Sequence, residues 1–172
     1  KARQAMYHLI NQEDFLRAIV GDAEYYRVCH GLITCGSPLA NDGGSAMLQD
    51  YNPKKALQLL KEAGYKGEPI TILATTDHNT ITPATQVLIQ AMREAGINLD
   101  VQSMDWGSVV SRRAKKEPPS QGGWNIFITT TGGVGSANPV LHTWLGAACD
   151  KGLFGWPCDA KIEELRNAYA FA

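Results

Sequence analysis

Apolar residues recur at helical spacing from the start of the chain. Ala5, Met6, Leu9 and Ile10 make one short face, and Phe15, Leu16, Ile19 and Val20 continue it. Between them Asn11 is a helix cap followed by Gln12, Glu13 and Asp14 in the first turn, and Gly21 is the stop. From Asp22 to Tyr51 the period is lost among His30, Gly31, Cys35-Gly36, Ser37-Pro38 and Asn41-Asp42-Gly43-Gly44. An irregular stretch of that length in a compact domain is usually functional or pinned by something. Order resumes at Asn52-Pro53, a cap with proline at the first helical position. Ala56, Leu59, Leu60 and Ala63 line one side before Gly64.

A strand is predicted at Ile70 to Thr75. The next helix begins at Thr82-Pro83, buries Val87, Leu88, Ala91, Met92 and Ala95, and ends at Gly96. Ile97, Leu99 and Val101 then alternate with Asn98, Asp100 and Gln102, the period-two signature of an edge strand with one wet face. Asp105 caps a helix through Val109, Val110 and Ala114 that finishes before Pro118-Pro119. The run Ile126-Phe127-Ile128 is apolar on both faces, which predicts a strand covered above and below. Strands alternating with helices imply right-handed crossovers and a mostly parallel sheet covered by helices, with Ile70 to Thr75 between the other two strands. Three strands make a thin sheet, so a neighbour strand from a longer parent chain is expected. The ends point the same way: the chain opens Lys1-Ala2-Arg3-Gln4 without Met and stops at Tyr169-Ala170-Phe171-Ala172 within an amphipathic pattern.

Composition narrows the class. A length of 172 residues, 44% of them hydrophobic and 19% charged, is globular rather than disordered or coiled-coil. Sixteen Lys and Arg against seventeen Asp and Glu give a net charge of −1, which supplies no electrostatic reason for nucleic acid or an anionic membrane as partner. No apolar run approaches the roughly 18 residues that span a bilayer. The four cysteines fall into two close pairs, Cys29 with Cys35 and Cys149 with Cys158. Local disulfides in an oxidising compartment are the favoured reading, with buried thiols and a Cys/His metal site using Cys29, His30, Cys35 and His142 as the alternatives.

Ligands approach open parallel sheets at the carboxyl ends of the strands. Two loops lie there: Thr75-Thr76-Asp77-His78-Asn79, and Thr129-Thr130-Thr131-Gly132-Gly133-Val134-Gly135-Ser136. The second has amides that could cradle an anion, but it lacks the Lys-Ser/Thr ending of a P-loop and the G-x-G-x-x-G spacing. Ser136 is not in a G-x-S-x-G elbow. Asp77 and His78 are adjacent, and neighbouring side chains rarely converge as a base and its orienting partner. Among the tryptophans, Trp156 stands out in the irregular run Phe154-Gly155-Trp156-Pro157-Cys158, where a rigid aromatic offers a ligand surface.

The segment Arg3-Gln4-Ala5-Met6-Tyr7-His8-Leu9-Ile10-Asn11 through Ile19-Val20-Gly21 resembles the opening of a known family segment. Asn52-Pro53-Lys54-Lys55-Ala56-Leu57-Gln58-Leu59-Leu60-Lys61-Glu62-Ala63-Gly64-Tyr65 is similar to its "D-P-x-K-A-x-x-L-L-x-E-A-G-Y" string. Ala95-Gly96-Ile97-Asn98-Leu99, Met104-Asp105-Trp106, Trp124-Asn125-Ile126, Asn138-Pro139 and Asp159 continue the match in order. The family is the family 5 extracellular solute-binding proteins, the peptide, dipeptide and nickel receptors of ABC importers. The resemblance implies an α/β fold: a single lobe of the type II periplasmic-binding-protein fold, spanning residues 1–172, with the partner lobe absent. It implies a periplasmic or extracellular monomer that binds a small solute between two lobes and delivers it to a membrane permease. No enzymatic chemistry, cofactor, metal or nucleic acid enters that reading. Thr129, Thr130, Thr131 and Gly132 are the leading ligand-binding candidates, with Asp77, His78 and Trp156 behind them. Peptide receptors of the family commonly carry an acidic residue before the Asn/Asp-Pro, where this chain has Gly133-Val134-Gly135-Ser136-Ala137. Some carry an Arg in the preceding strand, where it has Ile126, Phe127 and Ile128. A polyol, an amide or another weakly charged ligand therefore stands beside a peptide. The alternative class is a stand-alone α/β nucleotide- or phosphate-binding enzyme domain using the glycine loop.

Overall fold

The computed structural model describes residues 1–172, which form two compact units. Unit 1 comprises Lys1–Val28 and Ala46–Thr130; unit 2 comprises Cys29–Ser45 and Thr131–Ala172. Unit 1 holds helices α1 (Ala2–Tyr7), α2 (Gln12–Val20), α3 (Pro53–Glu62), α4 (Ile81–Glu94) and α5 (Trp106–Arg112). Its strands are β1 (Ile70–Thr75), β2 (Leu99–Met104) and β3 (Ile126–Phe127).

The sheet is parallel, in the order β2-β1-β3. Registers run from Ile70↔Leu99 to Thr75↔Met104 on one side, with Ile72↔Ile126 and Leu73↔Phe127 on the other. Thr71 to Thr75 of the central strand are all buried. One sheet face sends Ile72 and Ala74 into a core with Ala5, Leu9, Ala56, Leu60, Leu88, Ile89, Met92 and Ile97. Burial of each large aliphatic side chain there stabilises the fold by about 1.5–3 kcal/mol. On the other face the Thr71 hydroxyl donates to Asp100 Oδ2 at 3.1 Å, between register partners, and Gln102 Nε2 donates to the same oxygen. Val109 of α5 is buried there, with α5 packed on β1.

Helix starts follow their caps. Asn11, Asn52 and Asp105 accept from Glu13, Lys55 and Ser108 backbone N–H groups at the heads of α2, α3 and α5. His8, buried at the end of α1, donates from Nδ1 to the Asp50 carbonyl at 2.7 Å, and Asn52 N donates back to the His8 carbonyl at 2.8 Å. A polar side chain is thereby accommodated inside the core and ties α1 to α3.

Three expectations change. Helix α4 starts at Ile81, ahead of Thr82, so Pro83 lies inside the first turn, where the missing N–H costs no intrahelical bond. Helix α5 stops at Arg112, before Ala114, because the chain turns so that Arg112 Nε and Nη2 can donate to the Gly122 and Gly123 carbonyls. The run Ile126-Phe127-Ile128 is only half-buried, since β3 has a hydrogen-bonded neighbour on one side alone.

Unit 2 carries short 3-10 turns and helix α6 (Ala160–Ala170), capped by Asp159. Cys29 is bonded to Cys35 and Cys149 to Cys158. Both pairings are the local ones, and sulfur in a disulfide is not a thiolate ligand, so the Cys/His metal set does not form.

Gly123 makes a sharp prediction for unit 1. A methyl group there would lie 1.7 Å from the Glu117 carbonyl oxygen, while Gly123 N donates to the Pro118 carbonyl. Gly123→Ala should lower Tm by several degrees in a circular-dichroism melt, because rigid backbone must move. Gly132→Ala, where an added methyl meets nothing within 4 Å, should leave Tm unchanged.

Candidate ligand loops

The loop after β1 is built from hydrogen bonds among its own side chains. Asp77 Oδ1 accepts from the buried Thr75 hydroxyl at 2.8 Å and from Trp106 N at 2.8 Å, which joins the carboxyl end of β1 to the head of α5. The His78 ring accepts at Nδ1 from Thr80 N and Ile81 N, each at 3.3 Å, capping α4 and placing the ring proton on Nε2. Thr82 Oγ1 accepts from His78 N and donates to the Thr75 carbonyl. His78 meets Trp106 edge-on with ring centroids 5.4 Å apart, and the Arg113 guanidinium lies over both Trp106 and Phe127. Asp77 is exposed and His78 half-buried. Their side chains do not form an acid-base pair; each orders a different helix start.

Of the glycine-rich loop, Thr129 and Thr130 close unit 1, half-buried and exposed respectively. Thr131 and Gly132 open the second segment of unit 2, and both are exposed. The loop continues as a 3-10 turn at Gly133–Ser136. Within unit 2, Thr34 holds that turn in place. Its hydroxyl donates to the Gly133 carbonyl at 2.8 Å, and its N–H donates to the Ser136 carbonyl at 3.1 Å. The long irregular stretch is thus a brace for the glycine-rich loop, and the Cys29–Cys35 bridge closes the brace just beside Thr34. Sequence reasoning passed over Thr34; the available signal was its place next to a cysteine of the pinned stretch.

Trp156 sits in the loop closed by Cys149–Cys158, where Ala148 and Cys158 form an antiparallel bridge. Its φ of 43° is left-handed, an unfavourable region for a bulky side chain, and its N–H donates to the Leu153 carbonyl at 2.8 Å. Elsewhere in unit 2, His142 is buried with Nε2 2.9 Å from the Leu32 carbonyl. Helix α6 is fastened by Arg166, which donates to the Pro139 and Val140 carbonyls, and by Glu163 Oε1, which accepts from Ala147 N at 2.6 Å and Arg166 Nη1 at 2.9 Å. The Ala147 amide, then Arg166, hold the Glu163 carboxyl below the usual carboxylate range.

The family described as bacterial extracellular solute-binding proteins, family 5 Middle, matches residues 1–152. The chain belongs to this family. It is 39% identical over 167 residues to the probable peptide ABC transporter periplasmic-binding protein y4tO of Sinorhizobium fredii, covering 96% of this chain and 32% of that protein. It is 31% identical over 132 residues to the glutathione-binding protein GsiB of Escherichia coli K12, covering 75% of this chain and 24% of that one. The fold matches the crystal structure of the ABC transporter substrate binding protein CtaP of Listeria monocytogenes with a TM-score of 0.78 at 18% identity, over 99% of this chain and 34% of that one. The family 5 chain therefore spans about a third or less of the length of these relatives. Family and relatives are binding proteins, and they lend no support to the nucleotide-binding enzyme alternative. No helix is long and apolar enough to cross a membrane.

Two outcomes check these assignments. Asp77→Ala should cost about 1 kcal/mol in urea denaturation through loss of the Thr75 and Trp106 bonds, whereas Asp77→Asn, which keeps an acceptor oxygen, should stay near wild type. Because the folded-state pKa of Glu163 is depressed, its stabilisation is present above about pH 4.3 and is lost as pH falls below that. Protection factors of the α6 amides, corrected for the intrinsic exchange rate at each pH, should fall on acidification through that range in the wild type, and Glu163→Gln should flatten the response.

Proposed function

We propose that this chain is one lobe, or part of one, of the substrate-binding component of an ABC importer. It binds a small polar solute in a cleft completed by a second lobe of the same parent protein and delivers it to a membrane permease. The observation that carries this reading is the 39% identity across 96% of the chain to a probable peptide ABC transporter periplasmic-binding protein. On this reading the protein is a monomer outside the cytoplasm, without catalysis or cofactor. Ligand touching both lobes favours the closed state by its differential affinity for it.

The chemistry of residues 126–137 bears on the solute. That segment contains no charged side chain. Burying a ligand charge with no partner costs several kcal/mol, so contacts from this segment suit neutral groups: amides, hydroxyls and peptide backbone. Thr129, Thr130, Thr131 and Gly132 are assigned the main ligand contacts, with Asp77, His78 and Trp156 as secondary ones. A short peptide, as the relatives' names suggest, fits if its terminal charges are met by other residues of the parent. A polyol or amide needs no such partner.

The test is titration calorimetry on the full-length parent with dipeptides, tripeptides, glutathione, blocked peptides and polyols. Thr130→Val and Thr131→Val should each weaken the ligand that binds by about tenfold, near 1.4 kcal/mol. Unchanged affinity would remove both from the site. The isolated 172-residue chain should show weak or no binding, and micromolar affinity for a nucleotide or phosphate would overturn the receptor reading.

A further inference from the structure

Three glycines lie in the run Gly132-Gly133-Val134-Gly135, and contacts within the chain account for only one of them. None of the three has a positive φ. A methyl group at Gly132 would meet nothing within 4 Å, and at Gly135 it would meet only the Thr131 hydroxyl at 3.6 Å. At Gly133 it would crowd Thr34 Cγ2 at 3.3 Å. Glycine with no conformational or steric reason inside the chain leaves the backbone open to close approach from outside. It also raises the entropy lost when the loop is ordered, so a binding loop of this composition needs order from elsewhere.

Thr34 supplies that order within unit 2. Its hydroxyl holds the Gly133 carbonyl at 2.8 Å and its N–H holds the Ser136 carbonyl at 3.1 Å, so both ends of the turn are gripped by one residue. Its own carbonyl accepts from Ser37 N at 3.1 Å. Residues 29–44 contain no helix or strand, and Ile33 is the one apolar side chain they bury, so burial does little to fix Thr34. The fixtures are covalent and polar instead. The Cys29–Cys35 bridge closes beside Thr34, and His142 Nε2 donates to the Leu32 carbonyl at 2.9 Å.

We propose that Thr34 is a positioning residue for ligand binding: it sets the conformation in which Thr131 and Gly132 meet the solute, and the Cys29–Cys35 bridge acts on affinity through it. The proposal rests on the reading of this chain as part of a solute receptor with those two residues in its site. Without the Thr34 hydroxyl the turn samples other conformations, and apparent affinity falls with the fraction of molecules that hold the competent one. The bridge contributes by confining Thr34 to the place from which it reaches both carbonyls.

The full-length parent tests this through titration with trialanine and, independently of any solute, through hydrogen exchange at the amides of residue 34 and Ala137. Thr34→Val should weaken trialanine about fivefold and speed exchange at both amides about fivefold. Thr34→Ser, which keeps the hydroxyl, should restore wild-type values of each. Removing the bridge with Cys29→Ser plus Cys35→Ser should weaken trialanine to a similar extent, with no further loss when Thr34→Val is added. Wild-type affinity in Thr34→Val, or losses that add in the triple variant, overturn the proposal; should the bridge variants not fold, the Thr34→Val and Thr34→Ser pair decides it. If the wild-type parent does not bind trialanine, a peptide solute is rejected separately and exchange alone decides the positioning role. Faster amides in Thr34→Val then uphold it, and wild-type rates overturn it.

Discussion

Unit 1 is organised by the burial of β1 on both faces. A strand in that position must pair both of its edges and present no unsatisfied polar side chain. Its two threonines meet the condition in different ways. Thr71 donates across the register to Asp100, and Thr75 donates to Asp77 in the loop that follows. With those bonds made, Ile72 and Ala74 can pack against α3 and α4, and Leu73 and Thr75 can be covered on the opposite face. The helices are short and amphipathic, and their stability comes from this shared core more than from their own propensity.

The same bonds shape the loop at the carboxyl end of the sheet. Asp77 and His78 are polar residues in a position where ligands commonly approach, and each is already engaged in ordering a helix start. Such residues hold neighbouring backbone and side chains in place, which is a requirement for any binding surface built there. In unit 2 the same role falls to Thr34, which grips the Gly133–Ser136 turn from a segment closed by a disulfide. Few apolar side chains are buried in that unit beyond Ile33 and Ala147. Cross-links and side-chain-to-backbone hydrogen bonds therefore take over the work that a larger core does in unit 1.

Family 5 membership sets these local facts within a family of extracellular solute-binding proteins. A binding protein needs a rigid sheet with loops at one end more than it needs a reactive group. The chain carries threonine hydroxyls, glycine amides and aromatic rings on its loops, and Asp22, Asp105 and Asp159 cap helix starts.

The sequence by itself determined the helices with clear period and cap, at Asn11, Asn52 and Asp105, and the alternation of strands and helices from which the order with Ile70 to Thr75 in the middle followed; the helix led by Asp159 came from the family resemblance. It also marked the cysteine pairs, because short loops favour local closure. The helix caps and cysteine pairs depend on neighbours along the chain, so the pattern alone reveals them, while the strand order follows from the handedness of the helical crossovers. Tertiary structure decided the rest. That His78 caps α4, that Asp77 reaches Trp106, that Thr34 supports Gly133 and that His8 holds Asp50 all rest on contacts between distant or irregular segments, for which no periodicity exists. The half-exposure of Ile126 and Ile128 was likewise invisible in the sequence. Hydrophobic composition reports the burial a strand is suited to, while the burial it has depends on which segments lie beside it.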